Sequence, residues 1–283
     1  MRALVLAGGG NKGAYQAGVI RYLLRERGVR YDLYCGVSAG ALNAAYLAQF
    51  ASGTEHIAAD TLSNIWAELD QSKIYQKWWP WGEFAALWKT SLYDAAPLRR
   101  LVSRLIVPER AQISGKMLRI GAVSLNTGAY KVFGEAYSDL VSAVMASSAF
   151  PGVFPPVQIG DDLFTDGGVR EQTPLNAATS IGATEVDVIL CSPESGSVPL
   201  VNPTAIQVAL RSLEILTDEI LSNDLRISSQ KGAPKSAVRT RVIRPRFPLS
   251  ANPLDFSNET LRHLVKLGNE DARLTVLREG LRW

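Results

Sequence analysis

Gly8-Gly9-Gly10-Asn11-Lys12-Gly13 and then Gly36-Val37-Ser38-Ala39-Gly40 punctuate the opening stretch of this chain, and they constrain its fold more than any other feature. Each follows a short apolar run, Ala3 to Ala7 and Leu33 to Cys35, and each opens a helical pattern. Strands that return through a helix pair in parallel. Both turns are therefore expected at the same carboxyl edge of a parallel sheet, the edge at which open α/β sheets place their ligands.

The pattern continues in the same style. A helix is expected from about Ala14 to Arg27, with Ala17, Ile20, Leu23 and Leu24 inward and Gly28 as its stop. The alanine-rich helix Ala39 to Ala48 reads as buried nearly all round. Thr61 to Leu69 reads as helical, after which residues 71–96 lose periodicity and become aromatic and Pro/Gly-punctuated, the mark of an inserted lid or cap. Strands at Met117 to Ser124 and Ala129 to Phe133 flank the hairpin turn Asn126-Thr127-Gly128, so the sheet is mixed. Ser138 or Asp139 caps a helix to Ser147, and Leu163-Phe164-Thr165 runs into Asp166-Gly167-Gly168. Val186 to Cys191 and Val238 to Ile243 read as strands, Pro203 to Leu221 and Asn258 to Leu277 as helices. The expected fold class is α/β, a three-layer sandwich whose mixed, mostly parallel central sheet carries helices on both faces, in a single domain over residues 1–283.

Composition sets limits on function. A formal charge of +3 over 283 residues, 47 % of them hydrophobic, does not mark a nucleic-acid binder. Cys35 and Cys191 each sit in an apolar run and read as buried, reduced thiols. The first residues are too short an apolar stretch for a signal core, and no later run reaches membrane-spanning length. A cytoplasmic protein is expected, with peripheral membrane contact left open. Two isolated histidines and two distant cysteines make no metal-ligand spacing, so no metal and no cofactor is expected.

Gly36-Val37-Ser38-Ala39-Gly40 has the form of a nucleophile elbow: flanking glycines let the backbone turn sharply and the following helix aims its positive dipole end at the serine. A serine N-cap in a tight turn is the plainer reading of the same residues. Gly8 to Gly13 also spells G-x-G-x-x-G, which would hold a pyrophosphate on the following helix. That use calls for an acid at the end of the second strand, whereas Asp32 precedes the strand and Ser38 follows it. The hydrolytic alternative turns the exposed N–H groups of these glycines into an oxyanion hole. For the base, Asp166 at a strand end before two glycines competes with an Asp-Gly turn of no catalytic meaning. The order Ser38, Asp166, His263 mimics a hydrolase triad, but His263 points away from the apolar face of its helix. A Ser-Asp pair must work with a carboxylate whose usual pKa is about 3.9, leaving orientation and the oxyanion hole to supply most of the rate.

These two glycine turns, the Ala146-Ser147-Ser148-Ala149-Phe150-Pro151 segment and Asp166-Gly167-Gly168, in this order, resemble the four blocks of the patatin-like phospholipase family in its bacterial, single-domain form. The resemblance covers roughly Met1 to Ala178. It implies a lipid acyl hydrolase in which Ser38 is the nucleophile and Asp166 the base. It also implies an oxyanion hole in the loop Gly8, Gly9, Gly10, Asn11, Lys12 and Gly13, centred on the amides of Gly9, Gly10 and Asn11. Gly36, Gly40, Gly167 and Gly168 would support the elbow and the dyad. Lys12 stands where many members carry arginine, which keeps the charge but not the planar fork. The implied reaction is ester cleavage through an acyl-enzyme on phospholipids or lysophospholipids. A carboxylesterase acting on non-lipid esters with the same dyad, and a catalytically dead lipid-binding protein, remain alternatives.

Two surface features bear on how a lipid is reached. Trp78, Trp79, Trp81 and Trp88 cluster with Phe84 among Lys73, Lys77 and Lys89, a composition that suits either the headgroup level of a bilayer or a lid packed on its own domain. Residues 225–254 carry seven Lys or Arg, Arg239, Arg241, Arg244 and Arg246 among them, and no acid. That run can attract anionic headgroups or simply be a solvated strand face.

Overall fold

The computed structural model describes residues 1–80, 82, 88–194, 238–249 and 252–278, with isolated positions at 208, 211, 212, 215 and 219. Trp81, Phe84 and most of the helix expected over Pro203 to Leu221 lie outside the described residues.

The chain passes through β1 (Arg2–Leu6), α1 (Gly13–Arg21), β2 (Leu33–Gly36), α2 (Ala39–Leu47), α3 (Glu55–Glu68), β3 (Gln76–Lys77) and β4 (Tyr93–Asp94). It continues through α4 (Ala96–Leu105), α5 (Pro108–Ile113), β5 (Met117–Ser124), β6 (Tyr130–Gly134), α6 (Leu140–Ser147) and β7 (Val157–Ile159). Beyond these come β8 (Asp162–Asp166), α7 (Leu175–Thr179), β9 (Glu185–Ile189), β10 (Arg239–Ile243) and α8 (Asn258–Arg278).

Eight strands form one mixed sheet in the order β10-β9-β1-β2-β5-β8-β7, with β6 on β5. From β10 to β5 every pairing is parallel. β6 and β8 both run antiparallel to β5, and β7 is antiparallel to β8. The expected α/β class and the common edge for both glycine turns are therefore observed. β3 and β4 make a separate two-stranded ribbon at the base of the aromatic insert.

Alternation along β1 divides the interior in two. Leu4 and Leu6 face a core shared with α1, α2, α6 and α8, while Ala3, Val5 and Ala7 face a smaller core shared with α7 and the outer side of β9. Every one of these side chains is buried, as parallel strands covered on both faces require. α1 is sandwiched between α3 and α8, and its closest approach to α8 is set by two glycines. A Cβ on Gly18 would sit 2.0 Å from the Val265 carbonyl, and one on Gly268 would sit 2.0 Å from the Tyr15 carbonyl. α2 is buried everywhere except at Leu42, which is only partly covered.

The expected elements differ from the structure mainly by omission. α3 starts at Glu55, ahead of the expected Thr61, because Thr54 and the acidic Glu55 begin its first turn. α4, with proline in its first turn, was absent from the expected element list although Leu98, Leu101, Val102 and Leu105 follow helical spacing.

Two of the described arginines of the basic segment are committed to internal pairing. Arg241 is buried on β10 and bonds the fully buried Asp187 of the adjacent β9, which also accepts from Tyr31 at 2.6 Å. Arg246 pairs with the buried Asp271 of α8.

Candidate active site

Ser38 is the single non-glycine residue with positive φ among the described residues, at φ 56° and ψ −126°. Such a conformation costs a side chain of order 1–3 kcal/mol and persists only where its surroundings impose it. The surroundings do so on both sides of the serine. A Cβ on Gly36 would lie 2.2 Å from the Gly40 carbonyl, and one on Gly40 would lie 2.3 Å from the Leu6 carbonyl. Strand end, turn and helix start are thus pressed together, and only glycine fits at either flank.

The block around Ser147 and Ser148, read from sequence only as a family segment, has a physical role. Ser147 Oγ accepts the Ser38 N–H at 3.0 Å and Ser148 Oγ donates to the Ser38 carbonyl at 3.3 Å. Both backbone groups of the strained residue are held by the end of α6. Ser147 is fully buried and Ser148 nearly so.

Asp166 ends β8 beside Ser38 and is 2 % exposed. Burial pushes its carboxyl up from the usual range to about 7, opposed by the Ser38 hydroxyl and the Gly168 N–H, both of which favour the charged form. The Gly168 amide reaches Oδ1 at 2.8 Å. Oδ2 is buried without a hydrogen-bond partner, so the Ser38 hydroxyl stands close to the carboxylate short of a well-formed bond. Gly167 packs under this turn, where a Cβ would meet the Gly121 carbonyl at 2.4 Å.

The glycine loop flanks the same cleft, and its donors divide into two groups. Gly8 N–H is bonded to the Gln172 carbonyl at 3.1 Å, Asn11 N–H to the Pro253 carbonyl at 3.0 Å, and Lys12 N–H to the Gly9 carbonyl at 3.1 Å. Gly13 N–H turns inward to the Gly10 and Asn11 carbonyls. The N–H groups of Gly9 and Gly10 have no hydrogen bond among the described residues, which leaves them as donors for an incoming oxygen. Asn11 serves as a latch: its Nδ2 reaches the carbonyls of Asn252 at 3.1 Å and Asp255 at 2.9 Å. Lys12 is buried and lines the cleft.

About 860 Å³ of open space connects these groups; Ser38, Asp166, Gly8 to Gly10, Lys12, Gly168, Gln172 and Cys191 all border it. His263 is exposed on α8 and His56 lies at the start of α3; neither borders the cleft. Among the described residues no three His, Cys, Asp or Glu side chains converge as a metal site. Cys35 and Cys191 are buried and are not joined in a disulfide. Gln172, Pro253 and Phe256 also border the cleft, and no local motif in the sequence marks them.

A strained serine, a buried carboxylate with an open oxygen and two unengaged amides are the parts an acyl-transfer site needs. The family model described as patatin-like phospholipase matches residues 4–179, which includes all of them except Pro253 and Phe256 and the region beyond. The chain belongs to the patatin-like phospholipase family. Among curated relatives of the family it is 25 % identical over 200 residues to calcium-independent phospholipase A2-gamma of Oryctolagus cuniculus, covering 62 % of this chain and 25 % of that protein. It is 30 % identical over 197 residues to patatin-like phospholipase domain-containing protein 7 of Mus musculus, covering 66 % of this chain and 13 % of that one. This chain thus spans a quarter or less of the length of these two relatives. Among solved structures, VipD of Legionella pneumophila aligns with 98 % of this chain and 67 % of its own at 14 % identity and a TM-score of 0.49. ExoU in its complex with SpcU from Pseudomonas aeruginosa aligns with 98 % of this chain and 51 % of its own at 18 % identity and a TM-score of 0.40. Scores this low leave the fold assignment to rest on the strand order and the family match.

Proposed function

We propose that this patatin-like chain is a serine-dependent lipid acyl hydrolase that cleaves carboxylic esters of phospholipids or lysophospholipids through Ser38 and Asp166. The observation that carries the reading is the pairing of the strained Ser38 with a buried Asp166 whose Oδ2 is unpartnered. Ser38 Oγ attacks the ester carbonyl as Asp166 Oδ2 takes its proton, and the carbonyl oxygen becomes an oxyanion held by Gly9 and Gly10 N–H. Collapse breaks the bond to the alcohol, which leaves with the proton from Asp166. Water, deprotonated by the same carboxylate, then attacks the acyl-enzyme; collapse breaks the bond to Ser38 Oγ, Asp166 returns the proton to that oxygen, and the fatty acid departs. A pKa near 7 makes Asp166 a far better base than an exposed carboxylate.

The test is fatty-acid release from mixed phospholipid and lysophospholipid micelles, beside fluorophosphonate labelling. Wild-type protein is expected to release fatty acid and to label once, at Ser38, and Ser38→Ala to do neither. Labelling with hydrolysis of small esters alone would instead favour a non-lipid carboxylesterase, and no labelling a lipid-binding protein without catalysis.

Contact with the lipid surface is assigned to the exposed indoles of the aromatic insert. Trp79 is 92 % and Trp88 56 % exposed, with Lys77 and Lys89 alongside, whereas Trp78 turns inward and donates to the Ser91 carbonyl at 3.1 Å. Exposed indoles suit the interfacial level of a bilayer. Trp79→Ala is expected to weaken sedimentation with phosphatidylcholine vesicles while leaving thermal stability unchanged; equal sedimentation would remove this contact. No helix among the described residues is long and apolar enough to cross a membrane.

A further inference from the structure

Ser38 opens onto a second cavity behind the first. It runs between α2, α3 and α4, and it shares Gly10, Ser38, Ser148, Phe154 and Phe256 with the front cleft. Those shared residues form a throat at the serine. Tyr75, from the base of the aromatic insert, packs tilted on Phe154 and edgewise on Phe256, with ring centroids 6.2 and 6.3 Å away, and holds the throat in shape.

The two cavities differ in chemistry. The front one has the carboxylate, Lys12 and the glycine amides. Among the described residues no charged side chain borders the rear one. Its one amide, Asn43, is saturated: Nδ2 donates to Gly13 O at 3.1 Å and Gln16 Oε1 at 3.0 Å, and Oδ1 accepts from Trp66 at 2.7 Å. A head group entering this space would find no partner for its polar atoms, whereas hydrocarbon loses nothing there.

α2 forms one wall of the space. Ala39, Leu42, Asn43 and Tyr46 fall on one face and all border the cavity. Tyr46 lies eight residues past Ser38, about 12 Å along a helix. Its ring packs on Phe50 at 5.3 Å and its hydroxyl bonds Thr61, so the far wall is anchored rather than loose. With carbon–carbon bonds of about 1.5 Å, an extended chain advances roughly 1.3 Å per methylene, so about ten carbons reach from Ser38 to Tyr46.

We infer that the rear cavity is the acyl-chain site and that Tyr46 sets the acyl length, favouring chains of about ten carbons, while the alcohol part leaves through the front cleft. The inference rests on Ser38 as the point where the acyl group is held, and it adds a specificity residue that the family match does not name. Leu42, one turn from Ser38, supplies a second control in the opposite direction, since a larger side chain there shortens the space.

The experiment compares wild type, Tyr46→Ala and Leu42→Trp with p-nitrophenyl esters of two to sixteen carbons. It also measures thermal stabilisation of the Ser38→Ala protein, and of the same two substitutions in that background, by free fatty acids of eight to sixteen carbons. The kcat/KM ratio of fourteen- to ten-carbon ester is expected to rise at least tenfold in Tyr46→Ala, and that of ten- to four-carbon ester to fall at least tenfold in Leu42→Trp, as two or three methylenes gain or lose burial. The fatty acid giving the largest stabilisation should move the same way. Hydrolysis whose length ratio ignores both substitutions overturns the acyl-length role and leaves the hydrolase standing. Length-dependent stabilisation without any ester cleavage keeps the acyl site and overturns the hydrolase. Should Tyr46→Ala not fold, Leu42→Trp alone decides, because an unchanged ratio there is equally fatal.

Discussion

Gly36 and Asp166 occupy one edge of the same strand, Gly36 opposite Ile120 and Asp166 opposite Ala122 of β5. β2 runs parallel to β5 and β8 antiparallel to it, so the two strands approach each other end to end along that edge. At about 3.3 Å per residue their last pairs are roughly 7 Å apart. The turn after Gly36 lifts Ser38 into that gap, and Asp166 closes it from the other side. β6 takes the opposite edge of β5, which leaves this one for the two strand ends.

The proposed base predicts a pH profile. Asp166 must be ionised to accept the Ser38 proton, and burial has raised its carboxyl to about 7. kcat/KM for a small ester is therefore expected to rise about tenfold per pH unit between pH 5 and 6.5 and to level off above 7.5. A profile already flat from pH 5 would show that Asp166 is not the group being titrated.

The same shift has a cost in stability. A carboxyl whose folded pKa lies above its unfolded value gives its full stabilisation below about pH 4 and loses it as pH rises to about 7, because the folded chain must hold or shed a proton that the unfolded chain has already released. Asp166→Asn removes that loss. Urea unfolding is expected to show the variant stabilised by a few kcal/mol relative to wild type at pH 8, with the gain shrinking towards pH 4. A pH-independent difference would mean that the asparagine acts by packing alone.

Asp187 tests the polar cluster at the other end of the sheet. It is fully buried and pairs with Arg241, 8 % exposed, which also has Glu185 at 3.9 Å, and with Arg2 at 3.3 Å. Asp187→Ala should cost about 3–5 kcal/mol, because it takes the nearer carboxylate from the buried Arg241 and the acceptor from the Tyr31 hydroxyl together. Denaturation midpoints for this variant and for the double variant with Arg241→Met separate the two contributions. If the double variant is no more stable than the single one, the Arg241 charge is not the cause.

Ser147→Ala probes the elbow. Removing the acceptor of the Ser38 N–H leaves a buried donor unpaired, at about 1–3 kcal/mol, and releases one restraint on the strained backbone. Turnover of a small ester is expected to fall at least tenfold with KM little changed. A loss confined to stability would assign Ser147 to packing only.

The sequence alone determined the features whose causes lie within a few residues. The two strand-turn-helix units, the serine between glycines, the acid before Gly167-Gly168, the hairpin turn after β5 and the almost complete burial of α2 follow from local spacing and side-chain type. α4 had the same kind of signal in Leu98, Leu101, Val102 and Leu105, hidden behind the aperiodic insert. Only the tertiary structure decided the rest. Burial raises Asp166 towards neutral pH, and the Pro253 carbonyl takes the Asn11 amide while those of Gly9 and Gly10 stay unengaged. Ser147 and Ser148 hold Ser38 from more than a hundred residues away, and α2, α3 and α4 border a cavity that no charged side chain among the described residues lines. Desolvation, hydrogen-bond competition and cavity shape depend on which distant segments meet, and local sequence has no access to them.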